Sequence, residues 1–190
     1  PAVAVPPPAV TIDTTHEAAD TGTLVHPEPS GISTIVPADI VLLTREIAMP
    51  IDGINPATLH SSFNDKRGNG TRTHEALDIM SPLRTPIKSA AKGRVLKLFK
   101  SVAGGLMVYA ADSSERFILL YGHLNGYAPG LHDGSPLVRG QVIGYVGTSG
   151  RSSFPHLHFE VHVNAPPTSD ATAVDPLWFM AAVGAPMPRA

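Results

Sequence analysis

The segment His156-Leu157-His158-Phe159-Glu160-Val161-His162-Val163 alternates polar and apolar side chains without a fault over eight residues. A helix turns each successive side chain by about 100° and would scatter that pattern around its axis. An extended strand repeats every second residue and collects it on two faces. Leu157, Phe159, Val161 and Val163 then point to a core, and His156, His158, Glu160 and His162 share the opposite face. Ordinary solvated strand faces carry Thr, Lys, Ser or Glu more often than three imidazoles. Two imidazoles at i, i+2 on a rigid strand converge on one point, as a metal site requires. A polar face that happens to be rich in His is the competing reading, and the segment alone leaves both open.

The rest of the chain from Ala76 onward follows the same strand-length grammar. ALDIM, GRVLKLF, GLMVYAA, RFILLYGHL and QVIGYVG are short apolar runs broken by Gly, Pro or Asp. DSSE between GLMVYAA and RFILLYG has the composition and spacing of a hairpin turn. No long amphipathic helix and no internal repeat interrupts them. The fold class expected is mainly β, an antiparallel sheet preceded by an extended N-terminal segment. The tail VDPLWFMAAVG supplies a short helix before a Pro-rich end.

Residues 1–39 read differently. PAVAVPPPAV is rich in Pro and Ala, and the polar stretch after it holds no period, a composition that favours a solvated spacer over a packed element. It is assigned as an extended linker or regulatory segment, with the domain proper spanning 40–190. Apolar density rises from Val36 to Pro50, where ordered structure begins, and DGINPATLHSSFNDKRGNGTRT follows as a loop rich in Gly, Asn and Ser.

Composition removes several function classes. Fourteen basic and sixteen acidic side chains leave a net charge of −2, with neither the basic stripe of a nucleic-acid binder nor a polybasic membrane anchor. No apolar run approaches the roughly 20 residues of a spanning helix, so no transmembrane segment is expected. The absence of Cys excludes disulfides, thiolate metal sites and a Cys nucleophile. The sequence opens at Pro1 without a leader pattern, and the expectation is a targeting segment that was removed or lies outside it.

Two further elements carry chemistry. His74-Glu-Ala-Leu-Asp78 spaces an imidazole and a carboxylate four apart, on one face of a strand or of a helix. Both are good Zn²⁺ ligands, and a catalytic zinc keeps three protein ligands plus an open position. Most pairs at this spacing are surface residues. Tyr121-Gly122-His123-Leu124 ends the run RFILL, and a His emerging where a strand ends either reaches into a groove or caps an edge.

In this order HxxxD, YGHL and GQVIGYVGTSGRSSFPHLHFEV resemble the lysostaphin/LytM-type zinc endopeptidases, which hydrolyse bacterial peptidoglycan. TPIKSAAKGRV, the Gly pair before LMVYA, and VDPLWF extend the resemblance over about residues 48–180. It implies a peptidase domain with a substrate groove, in which His74, Asp78 and His158 bind one Zn²⁺. His156 and His123 would flank the open position as catalytic residues, His156 as general base and His123 as oxyanion stabiliser. The implied partner is peptidoglycan peptide, with D-Ala–diaminopimelate cross-links favoured over Gly–Gly bridges. The implied location is the periplasm, extracellular space or cell wall. The contrasting reading is a non-catalytic LytM-like module that binds peptidoglycan or regulates other wall hydrolases, but relatives of that kind lack ligands that are all present here. A purely structural zinc is disfavoured, because such sites are closed by four ligands.

Two positions depart from the family pattern. Ala76 stands where HxGxD has Gly, and Phe154 stands where Gly often precedes the Pro-His of PHLH. His16, His26, His60 and His132 fall in spacer or loop sequence. His162 lies roughly 13 Å beyond His158 by strand rise and is expected to be peripheral. Glu160 is expected to orient an imidazole. The region 33–69, with Asn64 and Asp65, holds possible plugs for the open position, so intramolecular regulation by the N-terminal part is a further expectation.

Overall fold

Alternating apolar residues build the structure around one sheet. The computed structural model describes residues 37–163 and 172–182. Helix α1 (Pro37–Glu46) comes first, then a 3-10 turn at Pro56–Thr58, the hairpin β1 (Lys66–Arg67) and β2 (Arg72–Thr73), and β3 (Leu77–Met80). Strands β4 (Pro86–Lys88), β5 (Gly93–Ser101), β6 (Gly105–Asp112) and β7 (Phe117–Tyr127) follow. The chain ends in β8 (Pro136–Leu137), β9 (Val142–Val146), β10 (His156–Val163), β11 (Thr172–Val174) and α2 (Pro176–Ala182). Every strand pairing among the described residues is antiparallel. The mainly β expectation therefore holds.

The nine-stranded sheet runs β11-β10-β7-β6-β5-β8, with β3 beside the start of β10 and β9, which carries β4, beside the end of β7. The hairpin expected at DSSE joins β6 to β7. Its turn is held by Asp112, whose carboxylate accepts from the backbone N–H of Ser114 and Phe117. Leu157, Phe159, Val161 and Val163 are fully buried, as alternation requires. They join one core cluster with Leu43 within α1, Ile47 just after it, and Phe179 and Met180 of α2. Both helices therefore serve the apolar side of β10, and its polar side is left for the site.

The tail helix falls where expected. The ordered start near Val36 is a helix, a form that apolar density alone does not specify. Pro37 at its first position costs nothing, because that N–H has no partner inside a helix. The 39/40 boundary falls inside α1, and residues 1–36, the bulk of the expected spacer, lie outside the described residues. No described helix is long and apolar enough to cross a membrane.

Candidate metal centre

Sheet register brings the site together. His158 of β10 faces Asp78 of β3 on one side and Gly122 of β7 on the other. A Cβ at Gly122 would sit 3.4 Å from Cβ and Cδ2 of His158, so the missing side chain makes room for the imidazole. His74 is not on a strand. On a continuous strand its Cα would stand roughly 13 Å from that of Asp78, too far to share an ion. Instead the chain reverses at Glu75, which adopts φ +60, and the His74 and Glu75 N–H groups bond back to the carbonyls of Asp65 and Phe63. Ala76 is fully buried within this turn, and the site closes with its methyl group in place.

The result is a nearly equilateral triangle of donor atoms. His74 Nε2 and His158 Nδ1 are 3.1 Å apart, and each lies 3.2 Å from Asp78 Oδ1. Tetrahedral coordination at about 2.0–2.1 Å has edges of about 3.3–3.4 Å, so the triangle already has the dimensions of three zinc ligands. The far side of each ligand is engaged as well. His74 Nδ1–H donates to the Ser62 carbonyl at 3.0 Å, leaving Nε2 with its lone pair. His158 Nε2–H donates to Glu160 Oε1 at 2.7 Å, leaving the Nδ1 lone pair. Arg67 Nη2 donates to Asp78 Oδ2 at 2.9 Å, leaving Oδ1. Two imidazole lone pairs and one carboxylate oxygen, each oriented from behind, fit a divalent cation.

The electrostatics agree. Burial opposes charge on Asp78, yet His158 and His74 outweigh it and hold the carboxyl well below its ordinary range. Burial likewise opposes charge on Glu160, but His158 and His162 hold it low. Burial works against a charged His158 too, and the carboxylates of Asp78 and Glu160 nevertheless push it up to about 9. A proton and a metal ion compete for the same Nδ1 lone pair, so surroundings that favour one also draw the other.

Two more imidazoles stand beside the triangle. His156 Nε2 is 3.5 Å from Asp78 Oδ1, and its Nδ1–H donates to the Phe154 carbonyl at 2.8 Å. The His123 ring is 4.9 Å from that of His156 and 5.5 Å from that of His158. Its Nδ1–H donates to the Ser149 carbonyl at 2.8 Å, and burial lowers its pKa to about 4. A neutral His123 therefore offers a lone pair at Nε2 and becomes a donor there only when protonated. Strict alternation would point His123 into the core with Tyr121. A bulge sets Gly122 and His123 opposite the single residue Met107, and His123 takes φ +62, which re-aims it toward the site.

Thus the four histidines and one aspartate singled out for chemistry, His74, Asp78, His123, His156 and His158, lie side by side. Glu160 does bond to His158. His162 is less peripheral than expected, since Glu160 Oε2 accepts its Nε2–H at 2.7 Å. Phe154 is exposed, and its carbonyl anchors His156. From the region of possible plugs, the Ser62 carbonyl and Arg67 reach the triangle, while Asp65 lies 3.9 Å from Arg67. Arg67, on the two-residue strand β1, and Ser62 and Ser149, in loops, were not singled out in the sequence, because segments so short carry no period.

An antiparallel sheet with a two-His, one-Asp triangle and two spare imidazoles has the donor set that could hold a single metal ion, as in a metallohydrolase. The chain belongs to peptidase family M23, whose family model matches residues 72–176. DD-carboxypeptidase/endopeptidase Mpg of Neisseria gonorrhoeae is 34% identical over 110 residues, 55% of this chain and 24% of that one. L-Ala–D-Glu endopeptidase of Bacillus subtilis is 34% identical over 125 residues, 62% of this chain and 38% of that one. The chain thus spans about a quarter to two-fifths of these relatives. The catalytic domain of lysostaphin from Staphylococcus simulans superposes with a TM-score of 0.55 at 29% identity, over 64% of this chain and 89% of that one.

Proposed function

We propose that this domain is a zinc-dependent endopeptidase acting on the peptide of bacterial peptidoglycan. The observation that carries this reading is the 3.1–3.2 Å triangle of His74, Asp78 and His158 with His123 and His156 beside it. Relatives named as endopeptidases, among them peptidoglycan DD-endopeptidase ShyC of Vibrio cholerae, support the substrate class. A non-catalytic module would be expected to have lost part of this set, and the set is complete.

Held by the triangle, Zn²⁺ would supply Lewis acidity, polarising the scissile carbonyl and lowering the pKa of water from 15.7 to about 7. His156 Nε2 accepts the water's proton and returns it to the leaving amine. Its Nδ1–H bond to Phe154 fixes the ring in the tautomer that can do so. His123, kept neutral by burial, flanks the oxyanion. Negative charge growing beside its Nε2 favours uptake of a proton from solvent there, and the protonated ring then donates to the oxyanion.

Cleavage of D-Ala–diaminopimelate cross-links is favoured over Gly–Gly bridges, with action in the periplasm, outside the cell or in the wall. The N-terminal segment is proposed to regulate access. A truncation that tests this should begin at Pro37, because Leu43 and Ile47 belong to the core. The central test combines metal analysis with digestion of sacculi of both wall types and mass analysis of the fragments. One equivalent of zinc is expected, with hydrolysis abolished by chelation or by His158→Ala. Full hydrolysis by metal-free His158→Ala would refute the reading. His156→Ala and His123→Ala are expected to keep the zinc while losing about 10²- to 10⁴-fold in rate.

A further inference from the structure

His162 has no task in the reaction outlined above, yet its ring is tied to the metal centre. We propose that His162 is a positioning residue that holds Glu160 and, through it, fixes His158 as a zinc ligand. The inference rests on the zinc reading of the triangle.

A carboxylate only accepts hydrogen bonds, so both rings that meet Glu160 must be donors. His158 gives Nε2–H to Oε1 and His162 gives Nε2–H to Oε2, each at 2.7 Å. The first bond forces the His158 tautomer that leaves Nδ1 free toward Asp78 and His74. The second sets the carboxylate plane. His158 and His162 lie four residues apart on β10, beyond direct reach, and Glu160 between them is the bridge.

The surroundings leave the two partners no substitute in register. Glu160 is buried, and its cross-strand neighbour on β7 is Leu120. His162 lies between Ile118 of β7 and Ala173 of β11, both without polar side chains. Among the described residues the polar partner of the His162 ring is Glu160. Without His162, Oε2 would lose the hydrogen bond that sets its plane, and the hydrogen bond to His158 would lose its direction.

The test compares wild type, His162→Ala, His162→Gln and Glu160→Gln. Zinc affinity is measured by competition with a chromophoric chelator. Absorption of the Co²⁺-substituted proteins and Tm of the metal-free proteins are recorded alongside. Loss of a group that orients a ligating imidazole weakens metal binding by about 10- to 100-fold. About tenfold is expected for His162→Ala, with a shifted Co²⁺ spectrum, and His162→Gln should recover most of it through its amide N–H. A merely structural His162 would lower the metal-free Tm and leave affinity and spectrum unchanged. Affinity within twofold of wild type in His162→Ala overturns the inference alone. If the Ala variant fails to fold, equal affinity in wild type and Glu160→Gln overturns it. Wild type that takes up no zinc overturns the metal reading and this inference together.

Discussion

At the residue scale the site is a problem of space as much as of donors. Gly122 faces His158 across β7 and β10, and a Cβ there would just touch the ring at 3.4 Å. Gly122→Ala is therefore expected to bind zinc nearly as wild type does. Gly122→Val adds two methyl groups with nowhere to go, and should push His158 off its ligand position. Zinc affinity is expected to fall at least tenfold, by analogy with the loss of an orienting group, and equal affinity in the Val variant would refute the steric role. The residues were unequally legible. His158 and His156 could be read because strand alternation forces them onto one face. His74 carried a weaker signal, since strand spacing would have parted it from Asp78, and the reversal at Glu75 could not be foreseen from residue type. Arg67, Ser62 and Ser149 could not be singled out, because a two-residue strand and a loop contact have no period.

Strand β7 shows how an element can serve the core and the site at once. Phe117, Leu119, Tyr121 and Leu124 are buried in the core cluster, and the odd-to-even change of parity between Tyr121 and Leu124 is the bulge. The loops on either side lock it. The His123 N–H donates to the Gly104 carbonyl, the Arg151 N–H to the Ala103 carbonyl, and Ser149 Oγ to the Leu124 carbonyl. Ser149 thereby fixes the bulge and, through its own carbonyl, the imidazole that the bulge presents. A left-handed conformation costs a non-glycine residue about 1–2 kcal/mol. His123→Gly should consequently be more stable than His123→Ala by about 1 kcal/mol in denaturant unfolding, the reverse of the order in a regular strand. Both variants lose the imidazole proposed to flank the oxyanion. An Ala variant more stable than the Gly variant would show that the backbone there is unstrained. YGHL marked the end of an apolar run in the sequence, but the bulge that makes His123 useful arises from pairing with β6, which no local pattern records.

On the scale of the whole molecule, the sheet separates an apolar side, closed by α1, α2 and the β4–β5 connection, from the side that carries the chemistry. Tyr121 ties the two together. Its ring packs on Phe159 at 5.2 Å, and its hydroxyl oxygen accepts the Ala90 N–H at 2.8 Å, joining the middle of β7 to the connection after β4. Burial pushes the Tyr121 hydroxyl up from 10.0 to about 12. The folded state thus holds this proton more tightly than the unfolded chain does. Its contribution to stability is complete below pH 10 and is lost as pH climbs from 10 to about 12, a span equivalent to about 2–3 kcal/mol. Tyr109 is raised to about 12 as well, by burial and then by the charge of Glu160, and Tyr127 is raised in the same direction, so the alkaline loss is shared. The share of Tyr121 is isolated by Tyr121→Phe. At pH 8 the variant should be less stable by about 1–3 kcal/mol, because the buried Ala90 N–H loses its acceptor. Between pH 10 and 12 the gap should narrow, since the phenylalanine has no proton to lose. Urea unfolding of both proteins at pH 8, 10 and 11.5 measures the two effects together. A gap that stays constant across that range would mean that the buried hydroxyl does not titrate with unfolding, and that the Ala90 bond alone accounts for what Tyr121 contributes.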